Sequence, residues 1–139
     1  MQALETGRFD EVLVEHVEPC LGVGSPQFLY DYPVEQASLA KLKDNNPAVA
    51  ERFELYLAGI ELANGFSELT DSCKQRQRFT DELRHMDGGM STSMPERFLR
   101  ALDGLDQAAG IAFGLDRLLM LILGKKTLSE VVSFAPSDL

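Results

Sequence analysis

The 139-residue chain has no tryptophan, only two cysteines and two histidines, and no long hydrophobic run. Its longest apolar stretch, Leu118 to Leu123, falls far below the roughly 20 residues a helix needs to cross a bilayer. Cys20 and Cys73 are separated by 52 intervening residues with no CxxC or Cys/His pairing around them, which points away from a zinc site and from a disulfide framework. His16 and His85 have no partner at ligand or triad spacing and read as a helix-face and a helix-end residue. Positive charge is also scarce: 13 Lys and Arg stand against 22 Asp and Glu, a net charge of -9. Binding to a nucleic-acid backbone needs clustered cations. The nearest approach to a cluster, Lys74, Arg76, Arg78 and Arg84, is interleaved with Gln and Asp and reads as a solvated helix face. The N-terminus lacks a basic segment followed by an apolar run. These features describe a soluble, cytoplasmic protein with reduced thiols and no electrostatic footprint for nucleic acid.

What is present is ordinary for a folded domain. Hydrophobic residues make up 45% and charged residues 25%, with no Pro- or Ser-rich tract that would favour disorder. Phe9, Val12, Leu13 and Val17 recur at helical spacing, predicting a short helix over 8–18 ended by Pro19. Gln27 to Tyr32 reads as a strand stopped by Pro33, residues 35–43 as a loop or short helix, and Asn45-Asn46-Pro47 as a turn. From Arg52 to Leu69 apolar and polar residues alternate. Gly59 and Gly65 favour two strands meeting at Ala58-Gly59 over a single helix. A charged helix over 70–86, capped by Thr70 or Asp71, ends at Asp87-Gly88-Gly89, and residues 90–94 form a loop. Pro95 opens a helix to about Leu102, Ala109 to Phe113 is a small-residue strand, and Gly114 leads into an apolar helix ended by Gly124. Met86, Met90 and Met94 read as packing residues. No repeat or domain boundary is visible, and the order of elements predicts an α+β domain built on an antiparallel sheet.

Chemistry concentrates in two segments, Glu61-Leu-Ala-Asn-Gly-Phe-Ser-Glu68 and Gly110-Ile-Ala-Phe-Gly-Leu-Asp-Arg117. On a strand, Asn64, Phe66 and Glu68 share one face. A carboxylate, an amide and a ring there suit an alkylammonium ligand, although a plain exposed strand face would carry the same residues. Glu54 and Glu61 flank the presumed turn with no basic neighbour in sequence. If buried they need a cation, and Mg²⁺ bridging phosphates is one that hard oxygen ligands suit. Unbroken alternation sets Glu61 opposite Asn64, so a shared site requires a bulge near Ala63 or Gly65. Arg117 opens an apolar, hence buried, helix and needs an anion. A nucleotide phosphate would serve, and so would an internal carboxylate. Gly110 and Gly114 suggest close backbone approach by a planar ligand.

These motifs are identifiable. ERFELYLAGIELANGFSELTD, followed by GIAFGLDRLLMLILGKKTLSEVVSFAP, resembles the C-terminal part of the class II lysyl-tRNA synthetase catalytic domain, and YDYPVEQASLAKL matches the same family. The similarity runs from about Phe9 to the end and is stronger to the paralogues that lysylate elongation factor P. By that resemblance Glu54 and Glu61 hold Mg²⁺ and ATP. Asn64, Phe66 and Glu68 bind a lysine-like substrate with Glu68 facing its ammonium. Arg117, the arginine of class II motif 3, contacts the ATP phosphates and stacks near adenine, and Gly114 lies beneath the nucleotide. Lysyl-tRNA synthetases usually carry glycine where this chain has Ala112. A methyl there reshapes the pocket around the substrate α-carbon and favours a β-amino acid such as (R)-β-lysine.

The resemblance implies an adenylate-forming ligase acting on lysine or (R)-β-lysine, with elongation factor P as acceptor and a homodimer as the family's assembly. The alternatives are a portion of a lysyl-tRNA synthetase and a non-catalytic paralogue that binds amino acid or nucleotide. Class II motifs 1 and 2 precede this region in the family and have no counterpart here. The expectation is therefore a partial catalytic domain: a fragment, a truncated gene product or one half of a split protein, with little adenylation by itself.

Overall fold

Ala58 and Gly59 have left-handed backbones, with φ of 52° and 75°, and they turn the chain back into a hairpin. Two positive-φ residues in a two-residue turn match the twist of antiparallel strands. Glycine adopts this conformation freely, whereas Ala58 pays roughly 1 kcal/mol for it. The computed structural model describes residues 8–85 and 93–135. The hairpin strands are β3, Asn46–Leu57, and β4, Ile60–Ser67; before them come β1, Gln27–Pro33, and the short β2, Leu42–Lys43, and after them β5, Ala109–Phe113. The sheet order is β1-β3-β4-β5 with β2 paired to β3, which bears out the α+β expectation.

Several boundaries differ from the sequence reading. The turn expected at Asn45-Asn46-Pro47 falls at 44–45, and Asn46 and Pro47 open β3, where a proline can be tolerated at a strand start. β3 therefore begins well before Arg52. The segment 35–43 holds a 3₁₀ turn, Val34–Gln36, and then β2, which pairs antiparallel to β3 (Leu42 with Ala50, Lys43 with Asn46) across an irregular register. At the N-terminal side the helix α1, Phe9–Val12, passes into a π-type turn, Leu13–Val17, and a 3₁₀ turn, Glu18–Cys20. Pro19 sits inside that last turn, where its missing N–H costs nothing.

Helix α2, Ser72–His85, resolves the choice of cap. Asp71 Oδ1 accepts the N–H of Lys74 at 3.0 Å, and that bond holds the Asp71 carboxyl below the usual carboxylate range. Thr70 instead donates its hydroxyl to the Asp106 carbonyl at 3.1 Å. The expected break at Asp87-Gly88-Gly89 lies outside the described residues, as do Met86 and Met90. Helix α3, Glu96–Leu102, follows Pro95 as predicted. It is tied to α2 by a bidentate Arg76–Glu96 pair at 2.7 and 2.6 Å and by the rings of Phe79 and Phe98, 6.0 Å apart. Helix α4 spans Leu115–Ile122, and Gly124 follows it at φ 62°.

Contacts divide the chain into two compact units. One consists of the chain up to Tyr30, Phe53–Gly65 and the chain from Ile111 onward; the other of Asp31–Arg52 and Phe66–Gly110. In the first, Tyr56, Leu62, Ala63 and Met120 are buried. The Gly22 loop locks onto the hairpin turn, since Ala58 N–H donates to the Gly22 carbonyl and Gly59 N–H to the Leu21 carbonyl, both at 2.8 Å. In the second, Ala37, Ala40 and Ala50 form a tight cluster against which Leu42 and Phe66 pack. The Arg52 guanidinium lies 4.4 Å from the centre of the Tyr32 ring.

One packing expectation is overturned. The apolar helix after Gly114 is not buried: Leu115 is 71% and Ile122 70% exposed, and only Met120 is enclosed. All five residues of β5 are exposed as well. An apolar composition records what a surface prefers, and among the described residues no element covers this one.

Candidate functional site

The hairpin positions the first group of residues, all within the first unit. Glu54 is 6% exposed; its carboxylate accepts the Tyr56 hydroxyl at 2.5 Å and the Asn64 amide at 3.2 Å. A buried carboxylate is stable only with such donors around it. Counting from the two-residue turn, Glu54 stands opposite Ala63, so unbroken alternation would send Asn64 to the other face. The hydrogen bond nevertheless joins them, and Leu62 and Ala63, consecutive on β4, are both buried, a pattern that a break in alternation produces. Tyr56 escaped the sequence reading. Its signal was the i, i+2 spacing from Glu54 on one strand face.

Glu61 is engaged differently. Arg117, in the first turn of α4, donates through Nη1 to the Glu61 carbonyl at 2.9 Å and to its carboxylate at 3.2 Å. The arginine expected to lie buried is instead 45% exposed along its side chain, and Glu61 is 32% exposed. The internal carboxylate that the sequence left as an alternative is thus present, and a half-exposed guanidinium keeps donors for a second anion. Gly114 donates its N–H to the Leu62 carbonyl at 2.8 Å, which anchors the start of α4 to β4. A Cβ on Gly114 would meet the Arg117 side chain, with Cδ at 3.3 Å, so this glycine gives Arg117 room to fold back toward Glu61. Ala112 is exposed on β5.

Glu54 and Glu61 therefore have separate partners, and among the described residues no group of three or more His, Cys, Asp or Glu is placed to hold a metal ion. Both nevertheless carry hard carboxylate oxygens on one hairpin, those of Glu61 part-exposed and those of Glu54 enclosed by Tyr56 and Asn64. That is the donor type Mg²⁺ takes alongside phosphate oxygens and water.

The second unit holds the remaining residues. Phe66 packs on the alanine cluster, so its ring belongs at least in part to the core. Glu68 lines a cleft of about 460 Å³ with Lys41, Glu51 and Asp106. Lys41 is already paired with Asp44 at 2.9 Å, an interaction that raises its pKa. Three acidic residues thus line the cleft beside one lysine whose ammonium is already paired with Asp44, a balance of charge that favours a cation. A Cβ on Gly110 would lie 3.1 Å from Glu68 Oε1. The sequence suggested close approach to Gly110 by a planar ligand; the neighbour the structure places there is this carboxylate. Glu51, at the head of the ERFELY run, and Asp106, four residues before Gly110, were not singled out in the sequence because nothing in their local spacing shows that the fold brings them to one cleft with Glu68.

Residues 22–138 match the family model of class II tRNA synthetases of the D, K and N type, and the chain belongs to that family. Among curated proteins it is 47% identical over 126 residues to an elongation factor P--(R)-beta-lysine ligase of Proteus mirabilis, covering 88% of this chain and 39% of the relative. It is 49% identical over 121 residues to the protein of that name from Hamiltonella defensa, covering 85% of this chain and 37% of the relative. The chain thus spans well under half the length of the relatives it matches. Among the described residues no helix is long and apolar enough to cross a membrane.

Proposed function

We propose that this chain supplies nucleotide- and amino-acid-binding residues of an ATP-dependent ligase that activates lysine or (R)-β-lysine and passes it to a lysine side chain of elongation factor P in the cytoplasm. The observation that carries the reading is the Glu54–Asn64 pair within one hairpin together with the Glu61–Arg117 pair that joins it to α4, in a chain whose relatives bear that ligase's name. In this reading the substrate carboxylate attacks the α-phosphorus of ATP and pyrophosphate leaves. The acceptor ε-amine then attacks the acyl carbon and AMP leaves, so an amide forms and one proton is released.

Arg117 contacts the phosphates and offsets charge as the pyrophosphate departs, Gly114 lies beneath the nucleotide, and Glu54 is held in place by Tyr56 and Asn64. Glu54 and Glu61 would hold Mg²⁺, which would supply charge neutralisation to the polyphosphate. Asn64 and Phe66 help seat the amino acid, and Glu68 faces its ammonium. No enzyme nucleophile is required, so positioning and electrostatics supply the rate. Ala112 favours the β-amino acid, and the family homodimer is the proposed assembly.

Calorimetry of the 139-residue chain with Mg·ATP, lysine and (R)-β-lysine tests this. The expected result is binding of nucleotide and tighter binding of (R)-β-lysine than of lysine, with little ATP–pyrophosphate exchange by the chain alone. Preference for lysine would favour a tRNA-charging relative, and absence of any binding would overturn the reading.

A further inference from the structure

The geometry points to Gly110 as a positioning residue that fixes the Glu68 carboxylate by having no side chain. This deepens the proposed function and rests on its assignment of Glu68 to the substrate ammonium. The backbone around Glu68 is held from both sides. Its N–H donates to the Ala108 carbonyl at 2.8 Å, the Lys41 N–H donates to the Ser67 carbonyl at 2.7 Å, and the Leu69 N–H donates to the Leu39 carbonyl at 2.9 Å. An antiparallel bridge also pairs Glu68 with Ala40.

With the main chain fixed, the carboxylate can move only by rotating its own side chain. On the β5 side the floor beneath it is Gly110, where a Cβ would stand 3.1 Å from Oε1. That separation is tighter than ordinary van der Waals contact, so a methyl must displace the oxygen by a few tenths of an ångström. The displaced atom is the tip of a flexible side chain lining an open cleft, so the fold has little reason to suffer. Gly110 has no positive φ, and alanine in a strand interior restricts the unfolded chain more than glycine does. The substitution separates two quantities that usually fall together. Stability should hold while recognition of an ammonium worsens, because a charge-assisted hydrogen bond depends on placement within a few tenths of an ångström.

The test compares Gly110→Ala, Glu68→Gln and the double variant, measuring (R)-β-lysine and lysine affinity by calorimetry and unfolding by circular dichroism. The expected result is a parent-like melting temperature for Gly110→Ala with affinity weakened by about three- to tenfold. Glu68→Gln should weaken it by about tenfold or more. Adding Gly110→Ala to Glu68→Gln should change the affinity by much less than it does in the parent, the signature of two residues acting through one contact. A melting temperature that falls in step with affinity would make Gly110 merely structural and overturn the inference. So would parent-like affinity in Gly110→Ala while Glu68→Gln is impaired, with the Glu68 assignment left intact. Parent-like affinity in Glu68→Gln would overturn that assignment and the inference together.

Discussion

Replacing Arg117 by alanine separates its two roles, brace and phosphate ligand. The brace consists of one hydrogen bond to the Glu61 carbonyl at 2.9 Å and one ion pair at 3.2 Å. With side chains 45% and 32% exposed, the ion pair is worth about 0.2–1 kcal/mol and the hydrogen bond about 0.5 kcal/mol. Urea unfolding followed by circular dichroism should therefore show a loss of about 1 kcal/mol with an unchanged m-value. A charge-assisted contact to a triphosphate is worth more, about 1.5–3 kcal/mol. The affinity for Mg·ATP should accordingly fall about ten- to a hundredfold. Arg117→Lys should recover charge without the forked geometry and land between the two. A variant that binds Mg·ATP within about twofold of the parent while losing more than about 2 kcal/mol of stability would refute the reasoning and leave Arg117 as an internal brace.

Two further predictions concern the frame around the site. Gly22 and Gly24 both have positive φ, 70° and 84°, but a Cβ on Gly22 would sit 2.5 Å from Leu57 Cα and 2.6 Å from the Tyr56 carbonyl, whereas one on Gly24 meets nothing within 4 Å. In urea denaturation Gly24→Ala should cost about 1 kcal/mol and Gly22→Ala about 3 kcal/mol or more; equal costs would show that the loop does not press on the hairpin. Glu130 accepts the N–H groups of Lys126 and Thr127 at 3.0 and 3.2 Å, which hold its carboxyl below the ordinary carboxylate range. Because the folded pKa is depressed, this stabilisation is present above the unfolded carboxylate pKa and disappears as pH falls through the folded one. Thermal melts of parent and Glu130→Gln across a pH series should therefore differ at neutral pH and converge in acid, and a constant difference would contradict the sign.

The hairpin and β5 were legible because their cues are local: alternation, a glycine at the turn and a run of small residues ending at Gly114. The cap of α2 was narrowed to Thr70 or Asp71, and only geometry could assign Asp71 the Lys74 N–H and Thr70 the distant Asp106 carbonyl. β2 was invisible because two residues carry no period, and their pairing with Ala50 and Asn46 is tertiary. The site residues came from motif spacing, yet spacing could not say that Glu54 would take Tyr56 and Asn64 while Glu61 took Arg117. Burial of α4 was misread because an apolar sequence reports its preference for cover and says nothing about whether cover is supplied.

That exposed surface governs the behaviour of the chain in solution. Ile111, Phe113, Leu115, Leu119, Ile122 and Leu123 each stand more than 40% exposed, an attractive patch on a molecule carrying a net charge of -9. Repulsion between like-charged copies is then what keeps the colloid dispersed. Its reach shrinks from about 30 Å at 0.01 M salt to about 10 Å at 0.1 M, so ionic strength sets the concentration at which this protein can be kept in solution.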